Sequence, residues 1–156
     1  MSEQEQPVRI MARLPRWLEP ANHVVTWLQR HGIAFFTFQL LTVPGRVSGQ
    51  LRTTPVSPLI LADGIYIVSI GNTEWVKNAR ASGWGFLARG RREQRVRLVE
   101  VGMPDRIPIL REFPVRVPHG VPFLVQLGAV KNPGDPDAFE RAAPRLAVFR
   151  ADPASG

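Results

Sequence analysis

The sequence predicts a single small domain built mainly of antiparallel β-strands with a few short helices, a barrel of the mainly-β, α+β kind. Three observations carry that reading. Segments rich in β-branched, aromatic and other apolar residues recur at short intervals between residues 33 and 149. Asp63-Gly64 and Arg89-Gly90-Arg91 mark tight hairpin turns between such segments. Fifteen prolines and thirteen glycines in 156 residues imply many turns and few long helices. Antiparallel strands joined in this way tend to close into a barrel, because closure removes exposed edges.

In chain order, residues 1–7 are polar and expected to be disordered. Arg9, Arg13 and Arg16 then alternate with Ile10, Met11 and Leu14 at helix-like spacing, interrupted by Pro15 and Pro20. Leu18, Ala21, Val24, Val25 and Leu28 keep an i, i+3, i+4, i+7 rhythm. With Gly32 as a C-cap, this predicts a helix from Pro20 to His31, with Trp17 and Trp27 along it. Such a basic, aromatic helix suits either packing against the barrel or peripheral contact with a membrane surface. The organisation is thus an N-terminal helical segment, 1–34, a barrel domain, 35–150, and a tail, 151–156.

Ile33 to Val43, with Phe35, Phe36, Phe38, Leu40 and Leu41, reads as the first strand, and Pro44 to Gln50 as a turn. Thr53 to Ala62 reads as the second strand. Its Pro55 and Pro58 place it at an edge or a bulge, because proline donates no ladder hydrogen bond. Ile65 to Ile70 is the third strand. Thr73 is a suitable N-cap for a short helix from Glu74 to Ser82, which Gly83 closes. Phe86–Ala88 and Gln94–Val101 form the next hairpin, with Arg95 and Arg97 alternating with Val96 and Leu98 so that one face is wet. Pro104-Asp105 opens a helix to about Phe113. Residues 114–136 read as loop-rich around a short apolar piece, Val121–Val130. A helical turn, Asp137–Ala142, and a last strand, Leu146–Phe149, follow.

Net charge is +7, and its placement matters more than its size. Residues 46–97 hold nine Lys and Arg against three acids, so an anionic partner near this segment is expected. Tyr66, Trp75, Trp84 and Phe86 form no RNA-binding aromatic pattern, so nucleic acid is not the expected partner. The chain lacks cysteine, which excludes disulfides and thiolate chemistry. His23, His31 and His119 lie far apart without carboxylates at ligand spacing, so no metal site is expected. GxSxG, Walker and GxGxxG motifs are all missing. If the protein is an enzyme, its reactive group comes from a cofactor. No run approaches the roughly 20 apolar residues of a spanning helix, and residues 1–20 lack a signal-peptide core. A cytoplasmic location is the resulting expectation.

Several pieces of the chain form a pattern: the turn Gly45-Arg46-x-Ser48-Gly49 with Arg52 after it, Pro55 to Leu59, Asp63-Gly64, Trp75-x-x-Asn78-x-Arg80-Ala81, Gly90-Arg91-Arg92, and the closing Ala143 to Arg150. Together they resemble the deazaflavin-dependent nitroreductase family, split β-barrel oxidoreductases that use coenzyme F-420. The resemblance covers about residues 35–150. It implies a split antiparallel, FMN-binding-like barrel, and F-420 as cofactor. Arg46, Ser48, Gly49 and Arg52 would take its phosphate, with Lys77 and Arg80 toward its carboxylate tail. Backbone at Pro55, Val56 and Ser57 and at Ser69, Ile70 and Gly71 would lie against the ring, with Trp75 and Asn78 supporting that edge.

The implied reaction is hydride transfer between deazaflavin and a small quinone-, nitro- or enone-type substrate. Hydride transfer requires no protein acid or base; Tyr66 and Ser57 are the candidates for donating a proton. Trp17, Trp27, Phe113 and Phe123 would line the substrate cleft, and a homodimer is a further expectation. Val47 stands where many relatives carry a basic residue. A second expectation is therefore a member that has given up the cofactor and binds or converts a lipophilic intermediate, as a cyclase or a ligand-binding protein would.

Overall fold

The computed structural model describes residues 39–154. The expected Pro20–His31 helix, Trp17 and Trp27 lie outside them, as does the start of the first expected strand. Seven strands follow: β1 (Gln39–Pro44), β2 (Leu51–Val56), β3 (Leu59–Leu61), β4 (Gly64–Ile70), β5 (Trp84–Arg89), β6 (Arg92–Glu100) and β7 (Leu146–Pro153). Helix α1 (Glu74–Ser82) links β4 to β5. Helices α2 (Arg106–Arg116), α3 (Val121–Gln126) and α4 (Pro136–Ala142) lie between β6 and β7.

All strands pair antiparallel in one sheet, in the order β2-β1-β5-β6-β7-β4-β3. The two edge strands, β2 and β3, are separated in sequence only by Ser57 and Pro58. A flat sheet of this order would hold its edges about 29 Å apart at ordinary strand spacing. The chain from Val56 to Leu59 spans at most about 11 Å. The sheet must therefore curl until its edges face each other. β2 and β3 are in effect one strand that leaves β1 and joins β4 at Pro58, which has no N–H to continue a ladder. The closure is covalent, and a split remains between β2 and β4.

Alternation along the strands separates two cores. Leu41, Val43, Val56, Ile67, Leu87, Val96, Leu98, Ala147 and Phe149 fill the barrel, and Trp75, Val76 and Ala79 of α1 close over it. On the outer face Leu59, Tyr66, Leu146 and Val148 pack under Leu110, Phe113, Leu124 and Phe139 of α2, α3 and α4. Helices α2, α3 and α4 thus cover the outer face of β3, β4 and β7.

Some boundaries differ from the sequence expectation. The strand expected over Thr53–Ala62 is broken at Ser57-Pro58, the point of partner exchange. Helix α2 runs through Pro114 to Arg116, and α3 forms inside the expected loop-rich stretch. β7 continues to Pro153, into the expected tail. It is a central strand, paired to β4 through Ala151 and to β6 through Pro153. Thr73 has the extended backbone of an N-cap, but its hydroxyl makes no capping bond and donates instead to Ile70 O at 3.3 Å.

Candidate functional site

The β1–β2 turn is a tight loop held by its own backbone. Gly45 N–H donates to Gln50 O at 2.8 Å, and Gly49 N–H to Gly45 O at 2.9 Å. Gly49 sits at φ +76°, where a side chain would be strained. Ser48 Oγ accepts from Gln50 N–H at 3.2 Å, leaving its proton free to donate. A Cβ built on Gly45 would meet Ser48 Oγ at 3.2 Å, and Arg52 Nε and Gln50 O each at 3.3 Å. A hydroxyl and a guanidinium therefore converge close to Gly45, beside one backbone carbonyl, in space too tight for a side chain. Arg52 stands opposite Val43, whose side chain is in the barrel core, so Arg52 projects from the interior face at the mouth. Arg52 makes no ion pair among the described residues.

Helix α1 holds the turn in place. Asn78, only 3% exposed, accepts from Arg46 N–H at 3.1 Å and from Arg46 Nη1 at 2.8 Å through the same Oδ1. Arg46 Nη1 also donates to Glu74 Oε2 at 2.9 Å, and Lys77 Nζ lies 3.6 Å from Glu74 Oε1. The hydrogen bond from Arg46, then its charge and that of Lys77, hold the Glu74 carboxyl below the usual range. Arg80 is committed elsewhere: it forks onto Glu100 at 2.9 and 2.7 Å and reaches Gly71 O at 3.2 Å. Trp75 packs on Phe149, ring centroids 5.5 Å apart, as a core residue under the mouth.

The split supplies the second part of the site. β3 pairs with β4 only between Leu59↔Tyr66 and Leu61↔Gly64. Upstream of it, Pro55 and Val56 pair with β1, and Ser57 is half-buried at the exchange point. Across the gap, Val68 to Ile70 pair only with β7. Pro55–Ser57 and Ser69–Gly71 thus edge the split on its two sides, while Gly71 N–H donates to Arg145 O at 2.8 Å and Ile70 O and Gly71 O accept from Thr73 and Arg80. Gly71 is needed at its edge, since a Cβ there would come within 3.0 Å of Arg145 O.

Of the other residues singled out from sequence, Tyr66 and Phe113 belong to the outer core. Tyr66 faces the outer core, and its hydroxyl donates to Asp63 Oδ2 at 2.9 Å. Burial, and then the Asp63 carboxylate, push its phenol up. Phe113 is packed against Phe139 at 5.4 Å in the outer core, and Phe123 is half-buried on α3. Sequence reasoning missed Glu74 and Glu100, the carboxylates that engage Arg46, Lys77 and Arg80. The Glu74–Lys77 i, i+3 spacing was a visible signal for part of that network.

No family model matches the chain, and no curated protein is significantly similar to it in sequence. Solved structures do share its fold. The heme storage protein HutZ from Vibrio cholerae superposes with a TM-score of 0.55 at 10% identity, over 89% of this chain and 92% of that one. An F-420-H2-dependent reductase superposes at 0.51 and 14% identity, over 74% and 94%. A pyridoxamine 5'-phosphate oxidase-related, FMN-binding protein from Nostoc punctiforme does so at 0.50 and 16% identity, over 89% and 81%. The chain has the split β-barrel fold: a mainly antiparallel half-barrel sheet with short helices. Among the described residues no helix is long and apolar enough to cross a membrane.

Proposed function

We propose that this protein is an F-420-dependent oxidoreductase, moving hydride between the deazaflavin and a quinone-, nitro- or enone-type small molecule. The observation that carries the reading is the bare Gly45, where Ser48 Oγ and Arg52 Nε converge at the start of β2, the strand that edges the split. These donors fit a phosphate: a hydroxyl with its proton free, a guanidinium without a carboxylate partner among the described residues, and no Cβ in the way. Arg52, Ser48, Gly49 and the Gly45 cradle would hold the phosphate. The backbone of Pro55–Ser57 and Ser69–Gly71 would face the ring. When bound, the deazaflavin supplies the carbon that carries hydride. The protein's own task is to orient both reactants and exclude water.

Of the two candidate proton donors, Ser57 lies on an edge of the split, whereas Tyr66 keeps its proton on Asp63 at the outer face. Arg46 contributes by fixing the turn on Asn78, and Arg80 by joining α1 to β6 through Glu100. The fold-level likeness to an F-420-H2-dependent reductase supports the reading.

A second reading has its own observation. Val47 is 93% exposed at the centre of the turn, offering no charge to an anion, and Arg46, Lys77 and Arg80 already face carboxylates. A barrel that binds a lipophilic intermediate without the cofactor has the same features. Titrating F-420 against the intrinsic Trp fluorescence separates the two. The first reading expects saturation at or below about tens of micromolar, lost by roughly tenfold or more in Arg52→Ala. Absence of binding in that range rejects it in favour of the second.

A further inference from the structure

We infer that Glu74 is a resident competitor for the anion-binding turn: its carboxylate sits on the Arg46 guanidinium, and an incoming phosphate oxyanion displaces it. The inference rests on the reading that this turn takes a phosphate. Arg46 Nη1 has two acceptors of different character. Asn78 Oδ1, at 2.8 Å, belongs to a buried neutral side chain that also receives Arg46 N–H, so this bond is part of how the turn is built. Glu74 Oε2, at 2.9 Å, belongs to a side chain 70% exposed at the rim. It is held there by Arg46 and, at 3.6 Å, by Lys77.

An exposed ion pair of this kind is weak and readily exchanged, while the Asn78 bonds stay. With Glu74 in place, the cluster of Arg46, Lys77 and Glu74 carries one net positive charge. Once the carboxylate swings out, both cations face the ligand. No other carboxylate contacts either cation among the described residues. Glu74 thereby sets how strongly the turn binds anions without touching the ligand itself. The ligand class is a phosphate that brings its own charge to Arg46 and Lys77. A neutral ring-bearing compound gains nothing from the exchange.

The test uses inorganic phosphate as the probe, with binding followed by isothermal titration calorimetry at pH 7.5. Glu74→Gln keeps the side chain's shape and removes its charge. Glu112→Gln makes the same charge change at another exposed glutamate, which pairs with Arg116 at 3.2 Å on α2. We expect Glu74→Gln to bind phosphate about two- to fivefold more tightly than the wild type, and Glu112→Gln to match the wild type. Thermal melts establish that both variants are folded. Equal or weaker binding by Glu74→Gln, an equal gain in Glu112→Gln, or no phosphate binding by any of the three proteins overturns the inference. Running the F-420 titration on the same proteins keeps the two ideas apart. Tighter phosphate binding without F-420 binding sustains the inference and rejects the oxidoreductase. F-420 binding with no effect of Glu74→Gln does the reverse.

Discussion

Asn78 is the residue on which the candidate site depends, and it acts by position. One buried Oδ1 accepts both the main-chain and the side-chain donor of Arg46, so α1 and the β1–β2 turn cannot move apart without breaking both bonds. Asn78→Ala leaves the Arg46 N–H without its partner and is expected to lower the unfolding free energy by about 1–3 kcal/mol. Chemical denaturation measures this, and an effect below ~0.5 kcal/mol would show that water replaces Asn78 without penalty. Loss of anion binding should accompany the loss of stability, since the turn is no longer held. At this scale the sequence made the residue types legible. Gly45, Ser48, Gly49, Arg52 and Asn78 were all visible as a pattern. Their division of labour was not. Arg46 and Asn78 are 32 positions apart, and Arg80 and Glu100 are 20 apart. Which cation is spent on an internal carboxylate depends on the fold that brings them together.

At the scale of elements, one contact ties α1 to the sheet and another sets how closely two strands of the sheet approach. Arg80 on α1 clasps Glu100 on β6 with a two-pronged bond at 2.9 and 2.7 Å. That hydrogen bond, opposed by partial burial and aided by the charges of Arg80 and Arg106, holds the Glu100 carboxyl below its usual value. A carboxyl depressed in the folded state adds stability that is present above the unfolded pKa and lost as pH falls through the folded one. Stability should therefore decline as the solution is acidified through and below the ordinary carboxylate range. Glu100→Gln should flatten that part of the profile, which thermal melts across pH would reveal; an unchanged slope rejects the assignment. The second contact is Gly85 on β5, where a Cβ would stand 2.6 Å from Thr42 O of β1. Gly85→Ala must push β1 from β5 and is expected to cost about 1–3 kcal/mol. A melting temperature equal to wild type would show that the strands shift freely. Hairpins such as β3–β4 and β5–β6 were readable because Asp63-Gly64 and Arg89-Gly90-Arg91 carry the turn geometry locally; Gly90 takes φ +59° at its turn. Helix α3 and the last turn of α2 were not. Pro114 argues locally against helix and burial of Phe113 and Val117 in the outer core overrides it, while α3 is only six residues long, with Pro122 tolerated in its first turn and Leu124 buried in the outer core.

For the whole molecule, the barrel's closure and its charge were legible to different degrees. Pro55 and Pro58 marked an irregular strand, but nothing local says that this strand exchanges partners and so leaves the split open. That follows from the order of all seven strands. The excess positive charge was plain from sequence, and the described residues show which of it faces a carboxylate. Arg46, Arg80, Arg111, Arg116 and Arg150 each face a carboxylate. Arg89, Arg91, Arg92, Arg95 and Arg97 of the β5–β6 hairpin are exposed and make no ion pair among the described residues. Arg89 and Arg92 stand directly opposite each other, an unfavourable cross-strand pair. Arg97 stands opposite Asp152, yet that carboxylate bonds Arg150 at 2.9 Å. Arg95 lies over the Trp84 ring at 4.5 Å and has that contact to hold it, so the repulsion concentrates at the hairpin end. The double variant Arg91→Gln, Arg92→Gln is expected to be more stable than wild type by about 0.5–1 kcal/mol at low ionic strength. The gain should shrink toward zero near ~0.5 M salt, where the screening length falls to a few ångströms. Paired denaturation curves at the two salt concentrations decide it. A variant no more stable than wild type at low salt, or a gain that salt leaves intact, would mean that the hairpin's charges do not strain the fold.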